Sequence, residues 1–339
     1  MSSWYFENSK DSDIVVSSRI RLARNIAGLP FPSRMTNDQR RELNEKVKKA
    51  ISESNTPFAK SLKFIDMKDV PENEGMAMVE RHVVSPEFVS GDSERAVILS
   101  EDESISIMIG EEDHIRIQVL YGGLQLEKAY DVAAQLDSLL CDSLNYAFDD
   151  RLGFLTECPT NLGTGLRASV MLHLPVIESA GQMPDLAESV NKIGFTVRGM
   201  YGEGSRAKAS LYQVSNQITL GISEKNALDN LKVIAMQLVD KESRQRENLN
   251  KLKLEDLCMR AVGIISNARI MSSEEMMKLL SEIKLGISMG IINREIEPMR
   301  LMVEGQPYML MRQFGHIGPD ERDVYRANML RKAFKEETI

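Results

Sequence analysis

The stretch SSRIRLARN, residues 17–25, places Arg19 and Arg21 on one side of an extended chain and Ile20 and Leu22 on the other. Two later stretches repeat the arrangement. In EEDHIRIQVL, residues 111–120, Glu112, His114, Arg116 and Gln118 oppose Ile115, Ile117 and Val119. In LRASVMLHLP, residues 166–175, Arg167, Ser169, Met171 and His173 oppose Ala168, Val170, Leu172 and Leu174. Each strand has an apolar back suited to covering helices and a front that carries arginine. One such strand is an ordinary half-exposed sheet element, whose ion pairs are worth little. Three together allow a second reading, because the planar guanidinium fork suits phosphate and several forks could hold a polyphosphate without a P-loop.

Around these strands the pattern is mixed. Residues 14–22 read as a strand, and residues 37–53 as a helix behind Asn37 as cap. From 61 to 121 the pattern is strand-like in LKFIDM, MAMVERHVV, RAVILS, SISIMIG and HIRIQVL. A helix is predicted over 126–147, strands over 152–156, 168–174, 193–199 and 209–222, a short helix over 184–192 and a long one over 224–245. The charged run KESRQRENLNKLK, residues 241–253, then separates a first domain, 1–245, from a second, 246–339. The second reads as helix throughout, over 252–268, 272–289, 293–303 and 319–336, broken at GQPY and GHIGPD. Strands clustered before helices predict an α+β fold, an antiparallel sheet flanked by helices, followed by an all-helical C-terminal domain.

Composition narrows the class. The 339 residues are 42% hydrophobic and 27% charged, with net charge −8, which suits a globular chain and disfavours unspecific binding to nucleic acid or anionic membrane. Cys141, Cys158 and Cys258 are the 3 cysteines and form no CxxC, so neither a disulfide framework nor a structural zinc site is expected. The start, MSSWYFENSKDSD, has no basic or apolar leader region, and no apolar run reaches the ~18 residues of a spanning helix. A cytoplasmic protein is the expectation. GxxxxGK(S/T), HExxH and GxSxG are all absent, and Gly202 with Gly204 makes only a fragment of a dinucleotide fingerprint.

SSRIRLARN, EEDHIRI, CPTNLGTGLRASV (158–170) and RGMYGEG (198–204), in this order, resemble the phosphagen (guanidino) kinase family, which includes creatine and arginine kinases. The likeness spans residues 13–245. It points to the bacterial protein-arginine kinases of the McsB type, because SSRIR begins near the start, without the helical domain that precedes it in creatine kinases, and because the tail carries RDVYRA at 322–327. The resemblance implies Mg²⁺-ATP lying across the arginine-bearing face, the metal held mainly through the nucleotide. By motif position, Ser17, Ser18, Arg19, Ile20, Arg21, Arg116, Arg167 and Arg198 would take part in binding ATP, with His82 on the adenine side. Ala168, Ser169, Val170, Met171, Gly199, Met200, Tyr201, Gly202 and Glu203 would line the same site. Glu112 and Glu203 match the carboxylates that hold the acceptor guanidinium, and Cys158 matches the reactive cysteine beside it. Gly110 departs from the asparagine usual in creatine kinases.

The tail motif resembles a phosphoarginine-binding allosteric site made of Arg322, Asp323 and Arg326, in which two arginines would take the phosphoryl group and Asp323 the guanidinium. Without the family, the same residues read as a surface ion-pair cluster. The implied activity is ATP-dependent phosphorylation of protein arginines in the stress response, marking proteins for Clp-protease degradation. The implied partners are substrates with exposed arginine, an activator protein, a transcriptional repressor and a Clp chaperone-protease. The chain is expected as a homodimer or larger, with the Met- and Leu-rich tail as its interface. A small-molecule arginine kinase and a non-catalytic phosphoarginine-binding regulator are the two other readings.

Overall fold

The structure is a computed structural model that describes residue 5 and residues 13–54, 59–91, 94–199 and 208–335. The chain runs through β1 (Val15–Arg24), α1 (Asn37–Ser52), β2 (Lys63–Asp66), α2 (Glu72–Glu80), α3 (Pro86–Val89), β3 (Ala96–Leu99), β4 (Ile105–Ile109), β5 (Ile115–Gly122) and α4 (Leu126–Ser143). It continues through β6 (Phe148–Asp149), β7 (Gly153–Phe154), β8 (Leu166–His173), α5 (Pro175–Ser179), α6 (Met183–Lys192), β9 (Phe195–Gly199), β10 (Leu211–Asn216) and α7 (Glu224–Glu247). The tail consists of α8 (Lys251–Asn267), α9 (Ser273–Ser288), α10 (Pro298–Glu304), α11 (Pro307–Phe314) and α12 (Pro319–Lys335).

Eight strands form one sheet in the order β2-β3-β4-β5-β1-β8-β10-β9, antiparallel at every pairing. The predicted alternation sets its two faces. Ile20 and Leu22 of β1, Ile115, Ile117 and Val119 of β5, and Ala168, Val170 and Leu172 of β8 pack against α1, α4 and α7 in the largest core. Among the described residues the opposite face is covered only at its ends. At one end Met78 and Val79 of α2 and Phe88 of α3 pack on Val97, Leu99 and Met108. At the other end Met171 and Leu211 join Leu254, Cys258, Met276, Leu280 and Phe334 of the tail. The arginines lie between these two covers.

Four expectations change. MAMVERHVV is not a strand: residues up to Glu80 are α2. Its apolar residues alternate because this short helix is buried against both the sheet edge and α3, where Gly75 meets Val89. The cap of α1 is Thr36, not Asn37; Thr36 and Gln39 bond each other's backbone in a capping box. Residues 307–314, left between breaks, form α11, with Pro307 in its first turn. Finally, the charged run after 241 is partly interior. Glu242 is fully buried, accepts the amides of Val176 (3.1 Å) and Ile177 (3.0 Å) and pairs with Arg246 (2.9 Å), which reaches Ser288 on α9 (2.8 Å).

Candidate active site

Strand register brings the arginines of four strands together. Arg21 stands opposite Gln118 of β5 and Arg167 of β8. Arg19 stands opposite Leu120 and Ser169, Arg116 opposite Ala23 and Met108, and Arg198 opposite Gln213. Residues opposed in this way have Cβ atoms about 5 Å apart, so like charges repel. The consequence is visible in their basicity. Burial, then Arg167 and Arg116, lower Arg19 to about 10. Arg21 is lowered further by burial and by Arg19, Arg116 and Arg167, with Glu111 opposing. Arginine still keeps its proton at neutral pH, so the face concentrates positive charge. Arg19 donates to Gln213, and the buried Nε of Arg21 has no acceptor among the described residues.

Not every residue of the motifs faces this way. Ser17 shares the arginine side, but Ser18 is buried beneath the strand, donating to the Gly123 carbonyl (2.7 Å) and accepting from the Gln125 amide (2.9 Å). Ile20, Ala168 and Val170 likewise point into the helix-covered core, whereas Ser169 and Met171 line the open side. Arg24 also turns inward. It grips Asp137 of α4 through two nitrogens (3.0 and 2.7 Å) and lies 3.6 Å over the Phe154 ring.

Ser17, Arg19, His82, Leu120, Ser169, Met171 and Gln213 enclose a recess with about 10 Å³ of room, on the side where the resemblance expects adenine and far smaller than a purine needs. His82 has φ 61 and its carbonyl accepts from Gln118 (2.8 Å). Burial and Arg19 lower its imidazole to about 3, so it is neutral at physiological pH. A base entering here must move the His82 ring or Met171.

Carboxylates gather around Arg116. Its guanidinium pairs with Glu111 (2.6 Å) and with Glu112 (3.1 Å), and Ser85 of α3's cap donates to Glu111. Asn161 reaches Glu112 at 3.4 Å, and the Cys158 thiol lies 3.0 Å from the Thr160 hydroxyl. Loop 158–165 is held by Thr219, whose hydroxyl donates to the carbonyls of Thr160 (3.0 Å) and Leu162 (2.7 Å). Its second glycine is required: Gly165 has φ +63, and a Cβ there would sit 2.6 Å from the Ala23 carbonyl. Gly110 has φ +77 and its carbonyl accepts from Arg95 (3.2 Å) and Arg40 (3.4 Å), which fixes the turn that presents Glu112. Asp113 accepts from Asn25 (2.7 Å) and the Glu157 amide (2.9 Å), and the His114 ring bonds the Ile26 amide (2.9 Å) and Pro30 carbonyl (2.8 Å). His114 therefore braces the loop rather than joining the arginine side. Arg198 and Gly199 end β9; Met200, Tyr201, Gly202 and Glu203 lie outside the described residues.

Sequence reasoning gave Glu111, like Asp113, only a supporting or solvent-facing place beside Glu112, and singled out neither Gln213 nor Asn161. Glu111 carries no distinguishing signal beside Glu112, but Gln213 could have been found, since it pairs with both Met171 and Arg198.

The tail residues form a second cluster on α12. Arg326 is 1% exposed, and donates to the carbonyls of Gly305 (2.7 Å) and Met271 (2.7 Å) and to Asp323. Arg322 is half-buried beside Met311. Arg326 is thus tied into the fold, and Asp323 is its partner rather than a free carboxylate.

Comparison with known proteins agrees with this geometry. Residues 42–245 match the ATP:guanido phosphotransferase C-terminal catalytic domain, and residues 251–338 match the protein-arginine kinase McsB C-terminal domain. A protein-arginine kinase of Caldanaerobacter subterraneus subsp. tengcongensis is 43% identical over 322 residues, 94% of this chain and 96% of the relative. One from Clostridium kluyveri is 42% identical over 347 residues, the full length of both. Among solved structures, a lombricine kinase superposes with a TM-score of 0.61 and 25% identity over 70% of this chain and 68% of its own. The duplicated taurocyamine kinase of Schistosoma mansoni, solved with bound transition state analog components, gives 0.62 and 26% over 75% of this chain and 39% of its own. The chain belongs to the ATP:guanido phosphotransferase family, in its protein-arginine kinase branch.

Proposed function

We propose that this protein uses ATP to phosphorylate arginine side chains of other proteins. The observation that carries the reading is Arg116, which joins the arginine face to Glu112 and so sets a polyphosphate site directly beside an acceptor carboxylate. Phosphoryl transfer asks a protein mainly for alignment and charge neutralisation. Arg19, Arg21, Arg116, Arg167 and Arg198 supply the neutralisation, and a polyanion relieves the repulsion among them. Mg²⁺ bound with the nucleotide would offset part of the phosphate charge; among the described residues the carboxylates nearest this face, Glu111 and Glu112, are paired to Arg116, which fits a metal held through ATP rather than by side chains.

The acceptor poses the harder problem. A guanidinium loses its proton only above pH ~12, while a carboxylate titrates near ~4.3, so Glu112 cannot deprotonate it in advance. Glu112, with Glu203, grips and orients the fork, and takes the proton as the P–N bond forms and the bond to the ADP oxygen breaks. On nucleotide binding Arg116 exchanges its hold on Glu112 for a phosphate, which frees Glu112 for the acceptor. Asn161 then remains to orient it. Cys158 sits beside the guanidinium as a neighbour rather than as a phosphorylated nucleophile.

A role in stress response and Clp-dependent degradation, an activator, a repressor as target, cytoplasmic location and a dimer built on the tail complete the proposal; their support is the family. No helix among the described residues is long and apolar enough to cross a membrane. The test offers Mg-ATP with free arginine, or with an unstructured arginine-containing protein, and detects acid-labile P–N bonds by mass spectrometry. Phosphoarginine on the protein is the expected product. Phosphorylation of free arginine alone would make this a small-molecule kinase, and silence in both would favour the regulator.

A further inference from the structure

Five large apolar side chains are exposed at the end of the sheet where β5 and β8 begin. Phe148 and Leu152 belong to the β6–β7 hairpin, Ile193 to the turn before β9, and Ile218 and Leu220 to the segment after β10; each is between 42% and 58% exposed. One exposed apolar residue is ordinary on a protein surface, whereas a contiguous set marks a contact site. This set is contiguous. Phe148 packs edge-on against the Phe154 ring (5.2 Å), and Phe154 bridges to Gly163. Gly163 lies so close to the next segment that a Cβ on it would sit 2.8 Å from the Leu220 Cα. A Cβ on Gly194, beside Ile193, would sit 2.5 Å from the end of the Ile218 side chain.

One loop joins this ledge to the acceptor carboxylate. Asn161 reaches Glu112 at 3.4 Å, and the Thr160 carbonyl is held at 3.0 Å by Thr219, the residue between Ile218 and Leu220. Loop 158–165 therefore touches Glu112 at Asn161 and the ledge at Gly163. An extended polypeptide advances about 3.3 Å per residue, so one with its arginine at Glu112 carries residues about two to four places away across the ledge. The border is acidic as well. Asp150 is exposed and Glu157 half-buried, with Arg151 opposing them, which suits a chain whose reacting residue is a cation. Free arginine offers no neighbouring side chain to bury there.

We propose that this ledge docks the polypeptide that carries the acceptor arginine, and that its occupant is an extended segment with aliphatic or aromatic residues beside that arginine. Burial of those residues against Phe148, Leu152, Ile193, Ile218 and Leu220 adds binding energy that does not touch the reacting atoms. It therefore lowers KM and leaves kcat alone. The inference rests on the protein-arginine kinase reading, and adds to it the chemistry that the substrate needs around its arginine.

The test measures Mg-ATP-dependent phosphorylation of two unstructured peptides that share one arginine and differ only in carrying leucine or serine at the flanking positions. The full chain is compared with its Leu220→Ser and Phe148→Ser variants, with folding checked by circular dichroism and mass by light scattering. For the unaltered protein the leucine peptide is expected to show a KM about tenfold lower at similar kcat, the worth of burying roughly one aliphatic side chain. Each variant is expected to raise the KM of the leucine peptide about three- to tenfold and to leave the serine peptide unchanged. Equal KM values for the two peptides, or a preference that both folded variants keep, would overturn the inference while the kinase reading stands. A smaller assembly in Leu220→Ser would make the ledge an interface between copies of this chain and would overturn it as well. Absence of phosphorylation on both peptides and on an unstructured arginine-containing protein would remove the kinase reading and the inference with it.

Discussion

Two arginine clusters in this molecule are assembled on opposite principles. On the sheet, Arg19 and Arg21 are crowded by Arg116 and Arg167, and the protein offers them few acceptors. In the tail, Arg326 is enclosed more completely, yet two carbonyls and Asp323 receive its protons. Arg24 on Asp137 and Arg246 on Glu242 follow the tail's pattern. Arg24, Arg246 and Arg326, with acceptors supplied, hold the fold together; Arg19 and Arg21, crowded by other arginines and offered few acceptors, are the ones that the proposed function reserves for a ligand. Burial alone does not tell them apart.

The contrast can be broken most forcefully at Glu112. Glu112→Gln should lower phosphoryl transfer about 10³-fold, in the range for loss of a group that acts on developing charge, while ADP affinity stays nearly constant. Unaltered turnover would remove the acceptor role. Next in size is Arg326→Ala, which strips a buried pair and should cost about 3–5 kcal/mol in chemical unfolding. That variant therefore damages the fold, and Arg322→Ala is the cleaner probe of phosphoarginine binding.

A third effect comes from pH. His82 is lowered to about 3, and burial also lowers His114 and His173, whereas the unfolded chain protonates each near pH ~6.5. Stability is thus fully present above pH ~6.5 and declines as pH falls, by at most about 1.4 kcal/mol per pH unit for each histidine. Glu80, raised to about 7, works the other way: its contribution is complete below the ordinary carboxylate range and fades as pH rises through about 7. Three histidines outweigh one carboxyl, so urea midpoints should drop between pH 6.5 and 5 in roughly constant salt. A flat profile would mean that these imidazoles accept protons in the folded state. The smallest effect is expected at Asn161→Ala, about two- to fivefold in kcat, the worth of one hydrogen bond to a charged group of modest geometry.

Period-two alternation located β1, β5 and β8 and the side of each that carries arginine, because their backs are buried against helices whereas the arginine positions on their fronts are only partly buried. It could not tell α2 from a strand, since a helix buried on both sides has no polar stripe to reveal its period. It placed Glu112 on the arginine side and not Glu111, but gave no sign that Glu111 also pairs with Arg116; the turn at Gly110 puts Glu111 under Ser85 and leaves Glu112 half-open. Glu242 and Arg246 were concealed by a run of charges whose outer members are exposed. Arg24 follows the arginine series of β1 in sequence, but its position has the parity of Ile20 and Leu22, and it serves the core in space.

The most direct measurement of the central claim is the melting temperature of Arg21→Ala beside the unaltered protein, with and without ADP. A face charged for an absent polyanion is predicted to gain stability when Arg21 is removed, and to lose most of the shift that ADP produces. For the unaltered protein that shift corresponds to about 2.7 kcal/mol at a hundredfold excess over Kd. A lower melting temperature for Arg21→Ala with the ADP shift intact would place Arg21 among the arginines that hold the fold, and would contradict the account.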